Sequence, residues 1–124
     1  MKVLLSIKPE FVEKILDGTK KFEFRKSVFK REGIKKVIIY ATMPIGKVVA
    51  EFTIEEILHE KPDTIWDLTK DFSGITRKFF DEYYEGKEAA VAIRIGNVTK
   101  YSKPLCLSEL GDGIVAPQSY RYLN

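Results

Sequence analysis

The chain is poor in the residues that hold metals and close disulfides: one cysteine, one histidine and one tryptophan in 124 residues. A lone Cys106 excludes a disulfide within the chain, and Cys106 with His59 supplies too few donors for the ligand spacing of a zinc site. Neither a metal nor a cofactor is expected. Long apolar runs are also missing. The opening MKVLLSIKPEFV is interrupted by Lys8 and Pro9 well short of a secretory signal, and nothing later has the length to cross a bilayer. A soluble, cytoplasmic protein with no membrane partner is the expectation.

What is present suffices for one core. The sequence is 44% hydrophobic and 31% charged, with eight Phe and six Tyr, a composition that buries enough apolar surface to offset chain entropy. Its length suits one domain, residues 1–124, and is too short for two. The formal net charge of +3 is unevenly spread. Residues 1–40 hold eleven Lys and Arg against five Asp and Glu, and the remaining chain is net acidic. The densest stretch runs from Lys20 to Lys36; such a patch attracts polyanions, nucleic acid first, although from charge alone a solvated lysine-rich surface is the simpler explanation.

Periodicity gives the elements. VLLSI at residues 3–7 predicts a buried strand. Pro9 suits a first helical position, Phe11, Val12, Ile15 and Leu16 share one helical face, and Gly18 stands where a left-handed C-cap is wanted. FEFR at 22–25 alternates as a strand, and KKVIIYAT reads as a central one. GKVVAEFTIEEIL begins as a strand, but its IEEIL end also fits a helical turn. A helical pair follows, one helix opening at Lys61-Pro62-Asp63 and one in ITRKFFDEYYEG closed by Gly86. AAVAIRIGNVTKY is a strand, Pro104 is read as restarting the chain, and Tyr120 and Tyr122 alternate as a closing edge strand. One early helix and a helical pair inserted mid-chain among several strands predict an α+β domain on a small curved sheet or barrel.

The stretch GTKKFEFR, residues 18–25, carries the chemistry. Phe22 and Phe24 face one way, Glu23 and Arg25 the other, with the latter two roughly 6–7 Å apart. On a solvated face they are only a polar strand surface. In the mouth of a barrel they become a partly desolvated acid and base, where a charge-assisted contact to a ligand is strongest.

Gly18, Lys20, Glu23 and Arg25 stand as G-x-K-x-x-E-x-R, preceded by SIKPEFVEKIL. With IYATMPIGKVVAEF, IWDL, the helix ending YYEGK and the terminal PQSYRYL in the same order, this resembles the ASCH domains of the PUA-like superfamily, in particular the archaeal and bacterial members grouped as predicted regulators. The resemblance spans nearly the whole chain. It implies a PUA-like β-barrel of mixed and antiparallel strands with flanking helices, and a cleft between the first helix, the motif strand and the closing strand. It also implies binding of RNA or of a modified nucleotide or nucleoside. Some small ASCH proteins are amidohydrolases on acetylated cytidine and use the motif lysine, with threonine where this chain has Glu23; others are described as ribonucleases.

These considerations name the candidates. In a binding module Lys8, Lys20, Lys21 and Arg25 meet phosphate and Glu23 accepts from a base or sugar. Tyr40, Thr42, Gln118, Ser119 and Tyr120 hold the base, a tyrosine stacking on it while an amide pairs with its edge. In a hydrolase, either an acetylcytidine amidohydrolase or a ribonuclease, Lys20 and Glu23 are catalytic, with Asp71 as a weaker partner that helix capping explains as well. A third possibility is a protein-interaction domain of a regulatory complex. Trp66, Phe79, Phe80, Tyr83 and Tyr84, at helical spacing, read most simply as core, and Cys106 lies in an apolar run with no basic neighbour.

Overall fold

In the computed structural model, which describes residues 1–123, the two most apolar strands lie side by side. β1 (Lys2–Ile7) pairs in parallel with β3 (Lys36–Ala41), Val3 opposite Val37 and Leu5 opposite Ile39. Both are buried on both faces, which is why VLLSI and VIIYA read as continuous apolar runs rather than alternations. The parallel connection requires a crossover, and α1 (Pro9–Asp17) supplies it, with Pro9 in its first turn and Gly18 closing it at φ 86°.

β4 (Lys47–Glu60) runs antiparallel to β3, and β5 (Ala90–Leu105) antiparallel to β4. The short strands β2 (Phe22–Arg25) and β6 (Tyr120–Leu123) flank the sheet, giving the order β2-β5-β4-β3-β1-β6. Between β4 and β5 the chain makes α2 (Pro62–Thr69), a 3-10 turn over Lys70–Phe72, and α3 (Arg77–Tyr83), capped by Thr76, whose hydroxyl accepts from the Phe79 N–H. The fold is α+β, built on a mixed six-stranded sheet. Among the described residues no helix is long and apolar enough to cross a membrane.

Two local readings of the sequence differ from the structure. Ile54–Glu60 continues β4 and contains no helical turn; register shifts near Phe52, Ile54 and Glu56 scramble the two-residue alternation, so the stretch resembles a helix in sequence. Pro104 lies inside β5 and does not restart the chain. β2 covers only Val91–Arg94, so the stretch around Pro104 has β4 on one side alone and tolerates a residue that cannot donate.

Alternate residues divide the core. Val3, Leu5, Ile7, Val37, Ile39, Phe52, Ile93 and Ile95 pack together with Val12 and Ile15 of α1 and with Phe29. On the other face, Phe22 and Phe24 of β2 meet Ile65 of α2 and Phe80 and Tyr84 of α3, while Leu4, Ile38, Tyr40 and Val48 form a third cluster under the segment from Tyr101 to Ile114. The sheet does not close by strand pairing, but it curls until its two edges meet. Arg25 at the end of β2 donates to the carbonyl of Ser119, next to β6, at 2.6 Å.

Candidate functional site

The seam between those edges is a cleft of about 310 Å³. Lys20, Glu23, Phe24 and Arg25 line it from β2 and its lead-in. Opposite them stand Ser6, Ile7 and Lys8 from the end of β1, Phe11 of α1 and Gln118; Ile75, Phe79 and Tyr83 complete the wall. Alternation explains how charge comes to lie in it. Glu23 sits opposite Ile93 on β5, and directly paired antiparallel residues project to the same face, so Glu23 points to the concave, core side of the sheet. Only 6% of it remains exposed.

Glu23 is neutralised within the cleft. Its Oε2 accepts from Arg25 Nη1 at 3.2 Å, and the same guanidinium reaches the Ser119 carbonyl. A planar, multi-donor head is what this double duty requires; a lysine has no fixed fork. The Ser6 hydroxyl donates to the Pro117 carbonyl at 2.7 Å, so the segment carrying Gln118 is tied on both sides of that residue.

Lys20 forms the floor. It is 2% exposed, its Nζ donates to the Ser73 carbonyl at 2.7 Å, and it lies 4.7 Å from the Phe24 ring centroid and 5.2 Å from that of Phe11. Burial drives its pKa down to about 8; the Glu23 charge opposes that shift and the Lys14 charge adds to it. The turn above it has no room for a side chain. Gly74 adopts φ +69°, and a Cβ there would lie 2.6 Å from the Lys20 Cβ. Gly74 also gives its carbonyl to Lys14 Nζ at 3.0 Å, so one turn serves two lysines.

Of the residues expected from sequence, Lys8, Lys20, Glu23, Arg25 and Gln118 line the cleft, and Ser119 contributes its carbonyl. The others lie elsewhere. Lys21 extends over the Phe72 ring at 4.6 Å. Tyr40 is buried with Leu4, Ile38 and Val48 on the opposite face of the sheet, and Thr42 follows β3 into a turn, its N–H on the Ile7 carbonyl. Tyr120 packs edge-on against Phe29. Asp71 is in the exposed 3-10 turn, outside the cleft, and caps nothing: Thr76 caps α3. Lys20 itself spends its amine on the Ser73 carbonyl, between the Phe24 and Phe11 rings.

Phe79 and Tyr83 correct the sequence reading in the other direction. Their helical spacing reads as core, yet they are only half-buried and form the cleft's aromatic wall; Phe80 and Tyr84 are the core residues. The signal was present in the doublets. FF at 79–80 and YY at 83–84 make two stripes at four-residue spacing, about 100° apart on the helix, and one apolar face cannot bury both. Cys106 likewise has a basic neighbour, Lys47 Nζ at 2.9 Å from its sulfur, on the surface away from the cleft. Among the described residues no three His, Cys, Asp or Glu side chains converge in a metal-binding arrangement.

The fold is that of an ASCH domain: the crystal structure of ASCH from Zymomonas mobilis matches it with a TM-score of 0.91 and 26% identity, over 99% of this chain and 87% of that one. Within that class the chain belongs to the family described as "Domain of unknown function (DUF365)", whose profile matches residues 1–116. A curated relative from Zymomonas mobilis subsp. mobilis, an "ASCH domain-containing ribonuclease", is 27% identical over 123 residues, 97% of this chain and 82% of the relative. A Ureaplasma parvum protein named large ribosomal subunit protein uL22 is 30% identical over 121 residues; the match covers 98% of this chain but 39% of that protein's length.

Proposed function

We propose that the chain binds RNA and takes one nucleotide into the seam cleft. The observation that carries this reading is the juxtaposition of a buried, ion-paired Glu23 with the aromatic wall of Phe79 and Tyr83 and the tethered amide of Gln118. A base lies against the wall, its donor edge meets the Glu23 carboxylate, and Gln118 pairs with a further edge atom, which is how unpaired bases are read. Lys20 and Arg25 shape the site from within; Lys8, at the exposed rim and 5.7 Å from the Phe79 centroid, is the cleft cation left for a phosphate. The relative named a ribonuclease supports an RNA partner.

A fluorescence-anisotropy salt titration with a short unstructured RNA tests this reading. Measurable affinity at low salt, weakened by Phe79→Ala and by Glu23→Gln, supports it; no affinity even at low salt overturns it.

One observation favours a hydrolase as the second reading. An amine with a pKa of about 8 is partly uncharged near neutral pH, as a base must be. Incubating the protein with structured RNA and with acetylcytidine, beside Lys20→Met, separates the two: turnover lost in the variant marks an enzyme, and no turnover leaves a binding module.

A further inference from the structure

Apart from Lys8 at its rim, the cleft has no free cation to hold a polyanion. Arg25 is committed to Glu23 and Ser119, and Lys20 to the Ser73 carbonyl. The unpaired positive charge lies next door. Residues 26–35 contain Lys26, Lys30, Arg31 and Lys35, all exposed, with Glu32 as the sole acid, and none of the four cations takes part in an ion pair among the described residues. The following residue, Lys36, does pair, with Glu51 at 2.6 Å.

This segment has neither helix nor strand, yet it is fastened along its length. Phe29 is 8% exposed and inserts into the main core against Tyr120. The Tyr122 hydroxyl accepts from the backbone N–H groups of both Lys30 (2.9 Å) and Arg31 (3.0 Å). At the far end Lys35 donates to the Met1 carbonyl, and its own carbonyl accepts from Ile54. The anchoring fixes where the four charges stand. Like charges repel, and holding four of them on a fixed backbone keeps that repulsion until an anion relieves it.

The segment also begins at the cleft. Lys26 follows Arg25 directly and lies over the ring of Tyr83, a cleft-wall residue, at 4.8 Å; Arg31 lies over Tyr122 at 4.4 Å. We propose that residues 26–35 form a second subsite, a basic ridge on which Lys26, Lys30, Arg31 and Lys35 track the phosphates of a single-stranded RNA whose one nucleotide occupies the cleft. The inference rests on the cleft reading and adds a division of labour: the cleft selects a base, and the ridge provides salt-dependent affinity. A single strand fits because a base inserted at the seam must be unpaired, and the backbone leaving it meets Lys26 first.

The test is a salt titration of a 12-nucleotide unstructured RNA against wild type, a ridge variant (Lys26→Gln, Lys30→Gln, Arg31→Gln, Lys35→Gln) and a control that removes four exposed lysines elsewhere (Lys61→Gln, Lys70→Gln, Lys87→Gln, Lys103→Gln). Each single-strand phosphate contact contributes about 0.7 to the slope of log K against log salt, so the ridge variant should lose about 3 of slope while the control keeps it. NMR titration with a nucleoside monophosphate should show its cleft shifts retained in the ridge variant, which also reports that the variant is folded. Slopes equal in wild type and ridge variant, or lost equally in ridge variant and control, overturn the ridge and leave the cleft reading standing. RNA that binds no wild-type protein at low salt overturns both.

Discussion

Arg25 and Ser119 stand 94 residues apart in the chain and 2.6 Å apart in space, guanidinium to carbonyl, and their contact bridges the two edges of the sheet across the cleft. The same head neutralises Glu23. Arg25→Ala therefore removes a charge-assisted hydrogen bond and strands a buried carboxylate, a loss of about 3 kcal/mol. Because the two residues share one network, adding Glu23→Gln should recover part of that loss. Urea denaturation of the two single variants and the double checks this; fully additive losses would show that the pair is not coupled.

The turn at Ser73-Gly74 positions Lys20, and Gly74→Ala probes it. A left-handed alanine costs roughly 1–2 kcal/mol, and the added methyl group collides with the Lys20 side chain. A drop in melting temperature should accompany a measurable change in the Lys20 amine resonance by NMR. Unchanged stability would mean that the turn does not press on Lys20.

Lys20 gives the protein a defined alkaline response. Its folded pKa of about 8 lies below the ordinary 10.5, so between these values the unfolded chain binds more protons and stability rises with pH. Below about pH 8 the buried cation is a full cost, and above about pH 10.5 that cost has vanished. Across the window the difference amounts to about 3 kcal/mol. Comparing wild type with Lys20→Met cancels the titration of other groups: the wild type should gain on the variant as pH rises, and parallel curves would place the amine's pKa near its normal value.

Phe79 and Phe80 are adjacent and should fail differently. Phe80 is fully buried against Phe24, Trp66 and Tyr84, and its truncation to alanine costs about 3–5 kcal/mol. Phe79 is half-exposed on the cleft wall. Phe79→Ala should keep most of the stability but weaken nucleotide binding about tenfold, the loss of one base-stacking ring. Thermal melts and RNA titrations on both variants measure the contrast.

These outcomes also show what the sequence could reveal. Gly18 as a cap, the alternation of Phe22 and Phe24 with Glu23 and Arg25, and the edge strand at Tyr120 were legible because each follows from local geometry. The polar face of β2 acquired a meaning only from the curl of the sheet, which brings residue 119 to residue 25. Tyr40 and Tyr120 illustrate the opposite: a strand tyrosine is chemically suited to a base, but the parity of Tyr40 sends it to the far face and Phe29 covers Tyr120. Nothing within a few residues of either position encodes that outcome. The ridge was visible as composition, and its anchoring through Tyr122 was not.

The most direct measurement is an NMR titration of isotopically labelled protein with a short unstructured RNA. With a nucleotide in the seam, perturbations should concentrate on Ile75, Phe79, Tyr83, Glu23 and Gln118, while Tyr40, Leu107 and Leu110 on the opposite face stay unmoved. Shifts confined to the Tyr40 face, with the seam residues unchanged at saturating RNA, would contradict the cleft as the binding site.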